Sequence, residues 1–270
     1  MKIGDLKVNR IGFGAMRVID NPDIWGPPKD KANAQRVLRR AYELGANFFD
    51  TAESYGPHHS EIAIAEAMHP YPKDLVIGTK CGLVRPKPSR WDEDGRPQKL
   101  RQDLEGSLKR LKLERIDLYQ LHAPDPKVPF EDQVGALADF QRAGKVRHVG
   151  LSNVTVSELE QARKIVPIVS VQNRYNIGDR HCEDVLKVCE RLGIAFLPWY
   201  PLGDGAALRS PKVKALAHKL GATPAQVAIA WLLKKSPVML PIPGTGSVTH
   251  LEENMQAARL ELAEDDIKML

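Results

Sequence analysis

The sequence predicts an α/β fold in which eight strand–helix units close into a (β/α)8 barrel. Short apolar segments rich in β-branched and aromatic residues alternate along the chain with longer segments of helical periodicity. The chain has 270 residues, which leaves about 34 for each of eight units, the size of a βα repeat. The competing fold, a doubly wound open sheet, normally carries GxGxxG after its first strand, and this sequence lacks the third glycine there. We therefore predict one barrel over residues 1–270, without a second domain.

Each predicted strand is a short apolar run, as expected for parallel strands that are covered on both faces. The runs are residues 11–16, 47–50, 75–80, 116–121, 146–150, 168–172, 194–198 and 238–242. Residues 1–10 precede the first strand and have room for a small hairpin that closes the bottom of the barrel.

The predicted helices carry recognisable start and stop signals. Apolar residues at positions 34, 37, 38, 41 and 44 form one stripe of an amphipathic helix. Asp30 is placed to cap the start of this helix, and Gly45 to end it in the left-handed conformation. Thr155 and Thr223 begin capping-box sequences, the second with proline at the first helical position.

The composition excludes several classes of protein. The 39 Lys and Arg residues exceed the 34 Asp and Glu residues by five, but they are spread along the chain rather than gathered into a nucleic-acid-binding patch. The start of the sequence lacks a signal peptide, and the longest clean apolar run, 227–233, is too short to cross a bilayer. The three cysteines form neither a disulfide framework nor a CxxC metal site. We expect a cytoplasmic protein that binds neither membrane nor nucleic acid.

Four polar residues fall where a barrel carries its chemistry, at the C-terminal ends of strands and in the loops that follow. Asp50 ends the second predicted strand, and Tyr55 lies in the loop after it. Lys80 ends the third strand, and His122 directly follows the fourth. Because neighbouring strands end side by side, we expect these four side chains to meet.

Their residue types suit proton transfer to a carbonyl oxygen. The Lys80 ammonium would stabilise a Tyr55 phenolate and lower the pKa of the phenol, while Asp50 would hold Lys80 in place. His122 could hydrogen-bond the substrate oxygen. None of these side chains donates a hydride, so redox chemistry would need a bound cofactor.

The chain resembles the aldo-keto reductase superfamily in several motifs that occur in order. They are FFDTAESYG at 48–56, GTK at 78–80, LH at 121–122, GLSN at 150–153 and VQN at 171–173. The resemblance implies a (β/α)8 barrel that reduces aldehydes or ketones with NADPH, without metal or flavin. It assigns general acid/base catalysis to Tyr55 and the supporting roles to Asp50, Lys80 and His122.

The resemblance also implies a cofactor site. Ser152, Asn153 and Gln172 would grip the nicotinamide carboxamide, and Trp199 would stack on the nicotinamide ring. The path of the pyrophosphate would be lined by Leu202 and Gly203, and Glu253 and Asn254 match positions that contact the adenine end. A glycine-rich turn at 242–248 leads into a helix and suits phosphate binding.

One departure concerns the 2′-phosphate of the cofactor. Relatives similar to aldose reductase hold this group with a lysine and an arginine, whereas the aligned positions here are Gly244 and His250. Thr245 and Ser247 can still donate hydrogen bonds. We predict NADP(H) as the preferred cofactor, with NAD(H) as the alternative.

The substrate would be a small carbonyl compound or the matching alcohol. The loop after His122 is short, so the pocket walls are assigned to Met16, Trp25, Leu83 and Trp91. Two other functions stay open: a Schiff-base aldolase that uses Lys80, and a nicotinamide-binding regulatory subunit with little turnover. A monomer or a weak homo-oligomer is expected.

Overall fold

A computed structural model of the chain describes the backbone of residues 1–270 and every side chain except that of residue 204. The strands are β1 (Lys2–Ile3), β2 (Leu6–Lys7), β3 (Phe13–Gly14), β4 (Phe48–Asp50), β5 (Val76–Cys81), β6 (Leu83–Val84), β7 (Asp92–Glu93), β8 (Ile116–Leu121), β9 (Val146–Ser152), β10 (Ile168–Gln172) and β11 (Ala195–Phe196). Seven of them form one parallel sheet in the order β11-β10-β9-β8-β5-β4-β3.

An extended segment, residues 238–242, takes the place of the eighth strand and closes the sheet. On one side, the backbone of Phe196 in β11 bonds to the segment through Val238 O and Leu240 N, both at 2.9 Å. On the other side, Gly12 N donates to Pro241 O at 3.0 Å. The (β/α)8 barrel is therefore confirmed, although the eighth strand is held by one isolated bridge, between Phe196 and Met239, and by single backbone hydrogen bonds.

The α-helices surround this sheet and alternate with its strands along the chain. They are α1 (Lys31–Glu43), α2 (His59–Met68), α3 (Pro97–Leu111), α4 (Phe130–Arg142), α5 (Val156–Ala162), α6 (Glu183–Leu192), α7 (Ala206–Arg209), α8 (Pro211–Leu220), α9 (Pro224–Lys235), α10 (Val248–Gln256) and α11 (Glu264–Met269). Short 3-10 turns occur at Ala15–Val18, Pro22–Ile24, Gly203–Gly205 and Ala257–Arg259. Within the described residues, no helix is both long enough and apolar enough to cross a membrane.

The helix signals read from the sequence are confirmed. The Asp30 side chain accepts from Asn33 N at 2.8 Å and caps α1. Both capping boxes, at Thr155 and Thr223, are formed. Gly45 has φ +97°, the left-handed conformation expected of the glycine that follows α1.

The interior of the barrel is apolar in its lower half. The predicted hairpin is present as β1 and β2, and it places Ile3, Leu6 and Val8 against the inward-facing strand residues. Those residues are Phe48, Val76, Leu118, Ala195, Leu197, Leu240 and Ile242. Since a strand points every second side chain inward, the inward side chains that follow toward the C-terminal ends are Asp50, Gln120 and, beyond Gly78, Lys80. The barrel thus becomes polar at the end where the site lies.

The seam between β3 and the closing segment depends on two glycines. A Cβ atom on Gly14 would lie 2.6 Å from Ile242 O, and a Cβ atom on Gly244 would lie 2.4 Å from Gly14 O. These distances are well inside van der Waals contact, and the obstructing atoms belong to backbone. Only glycine lets the two segments approach this closely.

Gly244→Ala should therefore destabilise the barrel by about 1–3 kcal/mol, the usual cost of forcing an extra carbon into a packed site. Gly135→Ala is the matched control, because a Cβ there would meet no described atom within 4 Å. In the middle of α4, the control should gain about 0.5–1 kcal/mol. Denaturant unfolding of both variants measures the difference, and equal stability of Gly244→Ala and wild type would contradict the seam.

Candidate active site

Four side chains converge at the C-terminal end of the barrel from three neighbouring strands. Asp50 is the last residue of β4, and Lys80 is the penultimate residue of β5. His122 follows β8, and Tyr55 lies in the loop between β4 and α2. The order of strands β4, β5 and β8 in the sheet brings these groups together.

Lys80 is fully buried and is held by three oxygen atoms. Its Nζ donates to Asp50 Oδ2 at 2.7 Å, to Thr51 O at 2.9 Å and to Tyr55 OH at 3.4 Å. Burial by itself lowers the pKa of Lys80, but the attraction of Asp50 and Tyr55 outweighs burial and leaves that pKa raised. The ammonium therefore stays charged at neutral pH.

Asp50 connects Lys80 to a second polar layer of the barrel interior. Its Oδ1 accepts from Gln172 Nε2 at 2.9 Å and from Gln120 Nε2 at 3.3 Å. Ser170 Oγ in turn donates to Gln120 Oε1 at 3.3 Å. Residues on four strands therefore share one hydrogen-bonded network beneath the site.

Tyr55 lies above Lys80 with 8% of its surface exposed. Burial raises the pKa of the phenol above its usual value of 10, although Lys80 acts in the opposite direction. The sequence predicted the direction of the Lys80 effect correctly, but burial outweighs it, because removing a phenolate from water costs more than the nearby ammonium offsets. At neutral pH, Tyr55 carries its proton.

His122 packs edge-on against Tyr55, with the ring centroids 5.7 Å apart. Its Nδ1 lies 3.4 Å from Ser54 Oγ. Burial, with the charge of Lys80 as the second cause, holds the pKa of His122 well below 6.5. The imidazole is therefore neutral at neutral pH. One of its ring nitrogen atoms is then an N–H donor, and the other is an acceptor.

A cavity of about 370 Å³ opens above these groups. Its lining contains most of the residues that the sequence singled out: Asp50, Tyr55, His122, Ser152, Asn153, Gln172, Trp199, Leu202, Gly244, Met16 and Trp91. Lys80 lies beneath the floor and does not line the cavity. Catalytic, cofactor and substrate positions assigned from separate motifs thus border one space.

Asn153 joins three parts of the cavity wall. Its Nδ2 donates to His122 O at 2.9 Å and to Ser152 Oγ at 3.1 Å, and its Oδ1 accepts from Trp199 Nε1 at 2.9 Å. The residue has φ +58°, a conformation that asparagine tolerates better than most other residues. Its amide therefore fixes the wall as well as facing the cavity.

Other candidate residues lie outside the cavity lining. They are Gly203, Thr245, Ser247, His250, Glu253 and Asn254 from the cofactor set, and Trp25 and Leu83 from the substrate set. Ser247 caps α10 by accepting from His250 N, and Thr245 Oγ1 accepts from Ser247 N at 3.0 Å. Leu83 belongs to β6 and pairs with Glu93 of β7. The glycine-rich turn thus leads into a helix, as the sequence suggested, at one side of the cavity.

Several lining residues were not found from the sequence. They are Gly14, Arg17, Tyr200, Pro201 and Gly205, whereas Ile242 and Pro243 belong to the glycine-rich turn that the sequence did single out. Arg17 follows β3 closely, so the strand-end rule that found Asp50 would also have found it. Ser54 and Gln120 do not line the cavity but contact residues that do, His122 and Asp50. Gln120 could have been found from the inward-facing register of β8.

Comparisons with known proteins find relatives over almost the whole chain. The chain is 49% identical over 266 residues to an uncharacterized oxidoreductase of Schizosaccharomyces pombe, covering 98% of this chain and 86% of the relative. It is 43% identical over 274 residues to pyridoxine 4-dehydrogenase of Escherichia coli, covering 99% and 96% of the two chains.

The fold has a similar solved relative. A thermostable aldo-keto reductase in complex with the inhibitor epalrestat superposes with a TM-score of 0.84 at 32% sequence identity, over 100% of this chain and 97% of the other. Residues 10–270 match the sequence profile of the Aldo/keto reductase family. The relatives and the profile, together with the barrel, show that this chain belongs to the Aldo/keto reductase family.

Proposed function

We propose that this protein transfers a hydride reversibly between NADP(H) and an aldehyde or ketone, with Tyr55 as the general acid and base. The observation that carries the proposal is the position of the Tyr55 hydroxyl. It borders the cavity beside His122 and lies 3.4 Å from the buried ammonium of Lys80. A phenol placed in this way can give a proton to a substrate oxygen and leave a stabilised phenolate.

The cavity offers groups that fit a nicotinamide. Ser152 and Gln172 line it, and the amide nitrogen of Gln172 is used by Asp50, which leaves Oε1 to accept from a carboxamide. The indole of Trp199 supplies a flat surface beside them. When bound, the cofactor would supply the hydride that none of these side chains can donate.

Arg17 supports an anionic cofactor. It is the only lysine or arginine among the residues that line the cavity within the described part of the chain. Gly244 has no space for a side chain, because Gly14 O lies where a Cβ would go. The seam thus excludes a basic residue at 244, and we assign the contact with cofactor phosphate to Arg17. NADP(H) is the preferred cofactor, with NAD(H) as the alternative.

Tyr55 is the proton donor in the direction of carbonyl reduction. Tyr55 holds its proton at neutral pH and gives it to the carbonyl oxygen as negative charge develops there. Lys80 stabilises the resulting phenolate, and Asp50 keeps Lys80 in place. His122, whose Nδ1 faces Ser54, would orient the carbonyl oxygen through Nε2. In the reverse direction, the phenolate accepts the proton of the alcohol.

The two alternatives are less well supported. A Schiff-base aldolase needs an accessible, neutral amine, whereas Lys80 is fully buried, lies outside the cavity lining and has a raised pKa. A regulatory subunit has no need of the complete arrangement around Tyr55. Turnover of NADPH with a carbonyl substrate separates the proposed function from both.

Pyridoxal and pyridoxine are the first substrates to test. The Escherichia coli relative at 43% identity is named pyridoxine 4-dehydrogenase. In this chain, Trp91, Trp199 and Tyr200 line the cavity and present aromatic surfaces suited to a planar ring.

Tyr55→Phe should reduce kcat by roughly 10² or more, the usual contribution of acid–base catalysis, with little change in cofactor affinity. Tyr42→Phe is the matched control, because its hydroxyl bonds to Asp74 outside the site. Because burial raises the pKa of Tyr55, wild-type reduction should decline with this group only at a pH above that at which an ordinary phenol ionises. Full activity of Tyr55→Phe would refute the proposed acid.

His122→Asn should make the protein less sensitive to acid. Below pH 6.5, the unfolded chain binds a proton at His122, while the folded chain resists it because its pKa is depressed. Wild-type stability should therefore fall as pH drops from 6.5, by up to about 1.4 kcal/mol per unit from this group. Urea unfolding between pH 7.5 and 5.5 measures the slope, with His218→Asn as the control for an exposed histidine. Equal slopes for His122→Asn and wild type would contradict a neutral His122.

Arg17→Met should weaken cofactor binding roughly tenfold, the scale of one charge-assisted hydrogen bond. Arg142→Met, on the exposed side of α4, is the matched control. Fluorescence titration with NADPH and NADH measures both affinities. An equal loss indicates contact with the pyrophosphate, and a loss for NADPH alone indicates contact with the 2′-phosphate. Unchanged affinity for both would rule out the assignment.

A further inference from the structure

The turn Pro22–Ile24, between β3 and α1, contains two consecutive residues in a strained conformation. Asp23 has φ +58° and Ile24 has φ +52°, in the left-handed region that glycine favours. For a β-branched residue such as Ile24 this conformation is rare, and each such residue costs of the order of a kcal/mol or more unless its surroundings enforce it. Something nearby must therefore hold the turn Pro22–Ile24.

Arg85 is the group that holds it. Its guanidinium donates to Asp23 O at 2.7 Å and to Ile24 O at 3.4 Å, so both strained residues turn their carbonyl oxygens toward one side chain. Its Nε donates to Arg90 O at 3.1 Å. Arg85 is only 8% exposed, and it joins the turn after β3 to the loop between β6 and β7.

The same guanidinium also lies over two indole rings. Its Cζ is 3.7 Å from the ring centroid of Trp91 and 5.5 Å from that of Trp25. Trp91 lines the cavity and packs edge-on against Tyr55, with the centroids 6.3 Å apart. Arg85 therefore stacks on the same Trp91 ring that packs against Tyr55.

The strained turn is also tied to the loop that carries Tyr55. Gly26 N donates to Gly56 O at 2.9 Å, and Trp25 forms a parallel bridge with Gly56, the residue after Tyr55. Backbone contacts therefore join the turn beside Trp25 to the loop that carries Tyr55. Without Arg85, the turn could relax, and Trp91, which is 37% exposed, would lose the group behind it.

We infer that Arg85 is a positioning residue that holds Trp91 as a fixed flat wall beside Tyr55, and so favours planar, aromatic carbonyl substrates over small aliphatic ones. This inference rests on the proposed function, since it concerns the substrate side of the same cavity. Arg85 does not line the cavity, so it acts through Trp91, which does.

The first test compares two aldehydes, benzaldehyde and propanal, in three variants. In Arg85→Met, KM for benzaldehyde should rise roughly tenfold, the scale of a desolvated cation–π contact, while KM for propanal and kcat for both change by less than about twofold. Arg85→Lys keeps the charge without the planar stack and should fall between wild type and Arg85→Met. Arg90→Met removes an exposed arginine of the same loop, one that pairs with Asp92, and should behave as wild type.

A double-mutant cycle tests whether Arg85 acts through Trp91. In a Trp91→Leu background, Arg85→Met should add less than about twofold to KM for benzaldehyde, because the wall is already absent. The inference is overturned if the full effect persists in that background. It is equally overturned if a folded Arg85→Met or Arg85→Lys variant weakens both aldehydes alike or neither.

A readout without turnover separates this inference from the proposed function. Acrylamide quenching of tryptophan fluorescence should increase in Arg85→Met and Arg85→Lys but not in Arg90→Met, and the increase should largely vanish when Trp91 is replaced by Phe. If wild type reduces neither aldehyde, pyridoxal nor other carbonyl compounds with NADPH or NADH, the proposed function fails while quenching still decides the role of Arg85. Unchanged quenching in folded Arg85 variants refutes the positioning role.

Discussion

The buried ion pair between Lys80 and Asp50 is the interaction on which the rest of the site depends. An ammonium removed from water must find an acceptor for each of its three protons, or the cost of burial is not recovered. Asp50, the backbone of Thr51 and the hydroxyl of Tyr55 supply those acceptors. The phenol is therefore placed by the same requirement that stabilises the charge. Removing either ionic partner would leave the other charge buried and uncompensated.

The barrel can stabilise this buried ion pair because its interior is apolar at one end and polar at the other. The hairpin and the lower strand residues form an apolar base. The upper interior is polar, and Gln120 and Gln172 donate to the oxygen of Asp50 that Lys80 does not use. Gln172 also lines the cavity, so the network beneath the phenol extends to the surface on which a cofactor would lie. Gln172 therefore belongs both to the network that holds Asp50 and to the wall of the cavity.

Most of the fold was predictable because its signals are local. Strand composition, capping residues such as Asp30, and the glycines that end helices depend on a few neighbouring positions, and the structure confirms them. The convergence of Asp50, Tyr55, Lys80 and His122 was also predictable, since parallel strands align their C-terminal ends. The net shift in the pKa of Tyr55 was not predictable, because the balance between burial and one nearby charge depends on how much water the fold removes from the phenol.

The sequence by itself determined the barrel, the polar residues that follow its strands and the family to which the chain belongs. Only the tertiary structure decided which residues share the cavity wall. Arg17 and Arg85 are ordinary basic residues in the sequence, and their environments come from segments far apart along the chain. In the sequence, Gly244 is only the absence of an expected basic residue. In the structure, Gly14 O occupies the space that a side chain at position 244 would need. Motifs record which groups are present, whereas burial, strain and close approach arise only when distant segments pack together.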